Sequence, residues 1–234
     1  MSRKQWLQIG IGCGVTAAVV LFCTLTPDTP AAAAAQNNGN GAVSETALVQ
    51  LGYAAAPVPL NTAGQNPALV GLGSYYVNVV GDCDGCHSKG PATEFAPGGN
   101  PYMNQPKVVN AKTYLGGGRD FGPLGPPADA ASAHIISRNL TPDKTGLPAG
   151  LTFTDFATII RTGLDDDHLH PTCAGALNAN CVPPPFDGDL LQIMPWPNLK
   201  NLSDRDLAAI YSYLSTIPCI EGNYPYDAPH RCGQ

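Results

Sequence analysis

Three side chains in the stretch Cys83-Asp84-Gly85-Cys86-His87 have types and spacing suited to covalent chemistry. Cys83, Cys86 and His87 stand at i, i+3 and i+4, which share one face of a helical turn. Three chemistries are open to two thiols so placed. A dithiol redox site needs only Cys-x-x-Cys, at a helix N-terminus after a strand. A structural zinc site needs a second ligand pair at finger-like spacing. A covalent haem uses both thiols to bind its vinyl groups and the adjacent imidazole to reach the iron. Here a helical pattern precedes the motif, no βαβ pattern surrounds it, and the other cysteines supply no finger-like pair. The histidine directly after Cys86 favours haem, with Cys83 and Cys86 as thioether attachments and His87 as one axial ligand.

The second axial ligand must come from elsewhere. Beyond the initiator, the methionines are Met103 and Met194. Met194 lies in Gln192-Ile193-Met194-Pro195-Trp196-Pro197, where two prolines keep the chain extended. A thioether held this way can lie across a flat haem face, and Met194 is the expected ligand. Met103, in a polar Asn/Gln/Pro stretch, is the weaker candidate. A lone methionine in a core otherwise serves as gap filler. His168 and His170 follow Asp165-Asp166-Asp167 and read as part of a solvated loop. His170 is the next candidate should Met194 fail, and His134 and His230 carry no companion motif.

These groups need elements to position them. A helix is expected from Asn66-Pro67, with Leu69, Leu72, Tyr76 and Val80 on its apolar face. Gly71 and Gly73 inside it cost roughly 1 kcal/mol each against alanine, which suggests that another helix passes close by. Residues 90–130 are rich in Gly and Pro and read as loop, with a short hairpin around Pro106 to Leu115. Thr152-Phe153-Thr154-Asp155 is a capping box opening a helix through Phe156, Ile159 and Ile160 to Gly163. A last helix opens at Ser203 with Asp206 at the capping-box position. It carries Leu207, Ile210, Tyr211 and Leu214 as a stripe and is expected to end at Pro218.

Domain organisation follows from composition. Residues 1–35 begin with Arg3 and Lys4, run apolar from Trp6 to Leu25, and end in an alanine run suited to cleavage before Gln36. The apolar run is long enough to be either a cleaved export signal or a retained membrane tether over residues 6–25. Both readings put the rest of the chain outside the cytoplasm, in the periplasm or an equivalent exported location. Residues 36–66, rich in Ala, Asn, Gly and Pro, read as a flexible linker. Residues 67–234 form the folded domain. The chain carries 12 Lys+Arg against 18 Asp+Glu, a formal charge of −6, and its scattered basic residues leave no nucleic-acid footprint. The acidic surface suits partners with a basic patch, or docking through apolar contact. Four cysteines remain beyond the export segment and the haem motif. In an oxidising compartment they should form disulfides, and the shortest loops are Cys173–Cys181 and Cys219–Cys232.

The ordering of a helix into Cys83-x-x-Cys86-His87, a methionine loop at Met194 and a last helix bearing Tyr211 and Tyr213 resembles class I c-type cytochromes. In that family the first and last helices cross at a glycine with an aromatic against it; Gly73 and Tyr213 are the similar positions. Gly73-x-Tyr75, Asp82-Cys83, Gly116-Gly117, Asn139-Leu140-Thr141-Pro142-Asp143 with Thr145-Gly146, and Met194-Pro195 resemble the cytochrome subunits of periplasmic alcohol and sugar dehydrogenases. Those subunits carry three haem domains; one Cys-x-x-Cys-His stands in this chain, and the stretch Cys173 to Phe186 looks like an insertion. The resemblance implies an all-α fold of cytochrome c-like helices around one covalent haem c, with long Gly/Pro-rich loops. It implies an electron carrier with His/Met ligation that exchanges electrons with donor and acceptor proteins, not an enzyme. The alternative is a peroxidase-like haem enzyme, in which the iron face opposite His87 stays open to substrate.

Overall fold

The structure is a computed structural model and describes residues 43–124, 131–165, 171–222 and 231–233. The expected export segment, residues 1–35, with its tether stretch 6–25, lies outside the described residues, as do His168, His170 and His230. Among the described residues no helix is long and apolar enough to cross a membrane.

Part of the stretch expected to be a flexible linker, 36–66, is instead a helix, α1 (Glu45–Ala55). Its start is specified locally: the Ser44 side chain accepts from the Ala47 N–H at 3.2 Å, and Glu45 sits in the first turn where the helix dipole favours an anion. Only Ala47 and Gly52 are buried along it, too little to set an apolar period, so close packing against a neighbouring helix is what holds it. Gly52 of α1 and Gly71 of α2 (Pro67–Tyr75) meet backbone to backbone, and a methyl group at Gly71 would lie 2.7 Å from the Val49 carbonyl. The Ser74 hydroxyl donates to the Gly52 carbonyl at 2.6 Å and ties the two helices across this contact.

Helix α2 begins as expected. The Asn66 side chain accepts from the Ala68 N–H at 3.0 Å, and Pro67 occupies the first turn. Its buried residues are Val70, Gly71, Leu72, Gly73 and Ser74, followed by Val77; Leu69 is half-buried and Val80 is exposed. The expected single face is therefore wrong. α2 is packed on two sides, by α1 at Gly71 and by α6 (Asp204–Leu214) at Gly73, where a side chain would collide with the Ala209 carbonyl and lie 2.8 Å from Tyr213 Cβ. The helix continues into a wider π-helical turn, Tyr76–Val80, and then into α3 (Cys83–His87).

The all-α expectation omits a small ribbon. Strands β1 (Asp120–Pro123) and β2 (His134–Ile136) pair antiparallel with an irregular register between Asp120↔Ile136 and Pro123↔His134. The hairpin expected around Pro106 to Leu115 is not found there. Val109 instead makes one antiparallel bridge back to Phe95, and residues 111–115 form turns.

Helix α4 (Phe153–Thr162) and helix α6 start where their capping residues place them. Thr152 accepts from the Asp155 N–H, and Ser203 and Asp206 form a reciprocal capping box. α4 ends at Gly163, with φ 77°. α6 ends at Leu214, short of Pro218, where the last bonds tighten: the Ser215 N–H and Oγ both donate to Tyr211 O, at 3.0 and 2.9 Å, and the Thr216 N–H and Oγ1 to Tyr213 O three residues back, at 2.9 and 2.7 Å. Between α4 and α6 lies α5 (Trp196–Leu199), one short turn. Tyr211 joins α6 to α4, donating to the Leu151 carbonyl at 2.8 Å and packing against Phe153 and Phe156.

Both disulfides pair as the loop lengths suggest, Cys173–Cys181 and Cys219–Cys232. The core is a single cluster that includes Val70, Val77, Tyr114, Leu115, Phe156, Leu207, Tyr213 and Leu214. At its centre Tyr114, Tyr213 and Asn78 share hydrogen bonds, Tyr114 Oη to Tyr213 Oη at 2.8 Å and Asn78 Nδ2 to Tyr213 Oη at 3.1 Å. Each buried hydroxyl thereby has a partner, which offsets its desolvation.

Candidate functional site

Cys83, Cys86 and His87 lie together on the single turn of α3. The turn is entered through Asp82 in a left-handed conformation, φ 43°. It closes with the Ser88 N–H on the Asp84 carbonyl at 2.8 Å. Cys83 is half-buried and packs against the core cluster, Cys86 is exposed, and neither is in a disulfide. Burial pushes the Cys83 thiol up to about 12, with the nearby Asp82 carboxylate adding to the effect. A dithiol redox site needs the reverse, a thiolate stabilised near neutral pH. Among the described residues no three His, Cys, Asp or Glu side chains gather as a metal-binding set, so a zinc site has no ligand set there.

His87 is 9% exposed, and its Nδ1 lies 2.7 Å from the Arg138 carbonyl oxygen. A carbonyl only accepts, so Nδ1 carries the proton and Nε2 keeps its lone pair. Desolvation lowers the imidazole pKa, which keeps the ring neutral. A neutral ring with a fixed tautomer and a backbone acceptor on its far nitrogen is the arrangement in which histidine binds a metal. The donor set thus fits a covalent haem: two free thiols and a lone-pair nitrogen on one turn, beside an apolar cluster.

The carbonyl that receives His87 is itself held. Gly117, φ 66°, donates its N–H to the His87 carbonyl and lies against the Arg138-Asn139 peptide; a methyl there would stand 2.6 Å from the Arg138 oxygen. Three further bonds lace the same segments together. The Leu115 N–H donates to Asp84 Oδ1 at 2.8 Å, the Leu140 N–H to the Leu115 carbonyl at 2.8 Å, and the Gly118 N–H to the Ser137 carbonyl at 2.8 Å. Arg119 donates to the Gly85 carbonyl and stacks on Phe121. The Asn139-to-Asp143 motif serves this frame. Asn139 Nδ2 donates to the Ile220 carbonyl at 2.9 Å, and the Ile220 N–H donates to Thr141 Oγ1 at 3.1 Å, which anchors the loop to the chain beyond α6.

Asp84, inside the motif, is buried. Oδ2 has no hydrogen-bond partner among the described residues. Burial raises its pKa to about 7, against the lowering effect of the Leu115 N–H.

Met194 is half-buried and packs against the same apolar cluster as Cys83. Met103 is 68% exposed, on a short 3-10 turn (Pro101–Met103). The Met194 loop is braced from the end of α4. The Leu191 N–H donates to the Gly163 carbonyl at 2.7 Å, Trp196 Nε1 donates to the Leu191 carbonyl at 3.2 Å, and the Trp196 ring covers Gly163, where a Cβ would collide with it. Arg161 extends the brace, donating to the Lys200 carbonyl at 2.6 Å and to Asp204 at 2.7 Å. His134, the remaining described histidine without a site, is exposed and pairs with Asp120 at 2.8 Å.

Five non-glycine residues among those described have positive φ: Asp82, Asn104, Leu115, Ala149 and Ile193. Two precede candidate site residues, Asp82 before Cys83 and Ile193 before Met194, and a third, Leu115, binds Asp84 on the same turn as Cys83. Such conformations cost on the order of 1 kcal/mol or more each, most for a β-branched residue such as Ile193, and persist where surroundings impose them. Sequence reasoning had no signal for Leu115, Ile193 or Arg138. Gly117 stands out in sequence, but its role against Arg138 does not.

Comparison with known proteins points the same way. The chain is 28% identical over 168 residues to the gluconate 2-dehydrogenase cytochrome c subunit of Pantoea cypripedii, covering 70% of this chain and 27% of that one. It is 25% identical over 154 residues to the cytochrome c subunits of quinone alcohol dehydrogenases from Gluconacetobacter polyoxogenes and Komagataeibacter europaeus, covering 65% of this chain and 22% of each. The chain is similar to cytochrome c subunits of dehydrogenases. It spans about a quarter of the length of these curated relatives. No family model and no solved structure matches it.

Proposed function

We propose that this chain is an exported monohaem c-type cytochrome that carries one electron at a time, with no chemistry on a substrate at the metal. Cys83 and Cys86 hold haem c as thioethers, and His87 and Met194 are the axial ligands. The observation that carries this reading is the buried His87 on a Cys-x-x-Cys-His turn, with Nδ1 bound to the Arg138 carbonyl at 2.7 Å and Nε2 left as the donor.

The haem iron supplies the one-electron couple. The protein's residues hold its surroundings constant as that electron comes and goes. The Arg138 carbonyl fixes the imidazole tautomer. The loop braced on Gly163 presents the Met194 thioether, a ligand that raises the potential relative to a second histidine. The apolar cluster touching Cys83 and Met194 keeps water out and favours the less charged, reduced state. Exposed Cys86 marks the side from which partners approach. With His87 and Met194 both bound, the iron would have no open position for substrate.

The partners suited to this reading are a donor dehydrogenase, as in the names of the relatives, and an acceptor that receives the electron. The two disulfides suit an oxidising compartment such as the periplasm. Residues 6–25 would serve as export signal or tether.

The test is the visible spectrum of the ferric protein. The wild type should show the thioether-to-iron charge-transfer band and low-spin haem, and Met194→Ala should lose the band, lower the potential and admit small ligands such as cyanide. A high-spin wild-type spectrum would instead favour the peroxidase-like reading, and an unchanged Met194→Ala spectrum would exclude this ligand.

A further inference from the structure

The acidic run beginning at Asp165 has no role in the electron-carrier reading, yet its first residue is buried. Asp165 is 5% exposed and follows the α4 cap at Gly163 by two residues. Its Oδ1 accepts from Arg138 Nη2 at 2.8 Å, an ion pair whose side chains are 7% and 13% exposed. The same guanidinium donates through Nη1 to the Ala149 carbonyl at 3.3 Å. Arg138 is also the residue whose carbonyl receives the His87 Nδ1–H. Its side chain and its main chain thus bind opposite neighbours, the end of α4 on one side and the imidazole on the other.

We propose that Asp165 is a positioning residue for His87. It fixes the Arg138 guanidinium, and through it the orientation of the 138 carbonyl that sets the strength of the Nδ1–H bond. The proposal rests on the reading of His87 as a haem ligand. Buried ion pairs hold geometry tightly, since loss of one partner leaves an uncompensated charge. A stronger bond at Nδ1 makes the imidazole a better electron donor and lowers the potential of a bound metal. The segment 163–165 therefore serves both proposed axial ligands. Gly163 receives the Leu191 N–H and underlies Trp196 on the methionine side, while Asp165 acts through Arg138 on the histidine side.

The sign of the effect is determined. Asp165→Asn removes the negative charge that compensates Arg138, the residue bound to His87, and so would disfavour the ferric state of a bound haem. It also loosens the Arg138 carbonyl, which makes the imidazole a poorer donor. Both changes raise the potential.

The experiment uses the exported, haem-loaded protein. Reduction potential is measured together with solvent exchange of the His87 Nδ1 proton in the ferrous state, with histidine nitrogen labelling. Asp165→Asn should raise the potential and speed Nδ1–H exchange by about tenfold, the loss expected for one charge-supported hydrogen bond. Backbone amides of α6 should exchange as in the wild type. Arg138→Lys keeps the charge but loses the forked geometry; it should speed the same exchange, and it replaces Asp165→Asn if that variant does not mature. A raised potential with unchanged Nδ1–H exchange means a charge effect only and overturns the positioning role. An unchanged potential overturns it too. A wild type without covalent haem removes the underlying reading as well, and it is recognised before any variant is compared.

Discussion

The two sides of the proposed haem are built differently. On the histidine side, α3 is tied to residues 115–119 and to Arg138 by one main-chain bond and three that use side chains, main-chain bonds join 115–118 to 137–140, and His87 and Asp84 are buried. On the methionine side, one loop carries Met194 half-exposed, with a left-handed Ile193 beside it and a brace at Gly163. A ligand held by several mutually supporting hydrogen bonds moves only if the frame opens. A ligand on a strained loop with few ties can move while the frame stays closed. The histidine side is therefore the fixed half, and the methionine side is the adjustable one.

The largest expected effect breaks the fixed half. Gly117→Ala places a Cβ against the Arg138-Asn139 peptide in a backbone region that alanine resists. It should cost about 3 kcal/mol or more and sharply lower the yield of haem-loaded protein. Denaturant unfolding and haem staining measure both. A variant with wild-type stability and yield would show that the 117–138 contact is dispensable.

Gly163→Ala tests the adjustable half. It puts a methyl into the Trp196 ring at φ 77°, so the cost should be about 2 kcal/mol. Methionine ligation should be lost spectroscopically at denaturant concentrations where the far-UV circular dichroism is still native. Simultaneous loss of both signals would erase the contrast between the two sides.

The smallest effect concerns Asp84. Its folded pKa, about 7, lies above the unfolded value of 3.8 because of burial. A group raised in this way favours folding below its unfolded pKa, and that contribution is lost as pH rises from about 4 through about 7. Asp84→Asn should therefore reduce the fall in stability between pH 5 and pH 8, by on the order of 1 kcal/mol or more. Denaturant midpoints at the two pH values measure it. An identical pH dependence in both proteins would mean that Asp84 is not the titrating group.

What sequence could disclose followed the range of the interaction. Thr152 and Ser203 mark their helices because a cap is settled within four residues. Cys173–Cys181 and Cys219–Cys232 were legible because few cysteines leave few short loops. α1 was missed because its buried side is only Ala47 and Gly52, too small to show a period, and its order comes from the Gly52–Gly71 contact with α2. The face of α2 was misassigned for the same reason: a helix packed on two sides shows no single stripe. At the site, the types and spacing of Cys83, Cys86 and His87 could be read directly. Arg138 could not, because it supports His87 through a carbonyl oxygen that every residue possesses. Met194 stood out through its prolines, while the brace at Gly163 looked like an ordinary helix stop.

The central claim is covalent haem at Cys83 and Cys86. Its most direct test is the intact mass, under denaturing conditions, of the chain exported from a host able to mature c-type cytochromes. The account predicts that the wild type carries the added mass of one haem, and that the Cys83→Ala/Cys86→Ala variant carries none. A wild type at the mass of its bare polypeptide, or a double variant that keeps the haem mass, would contradict it.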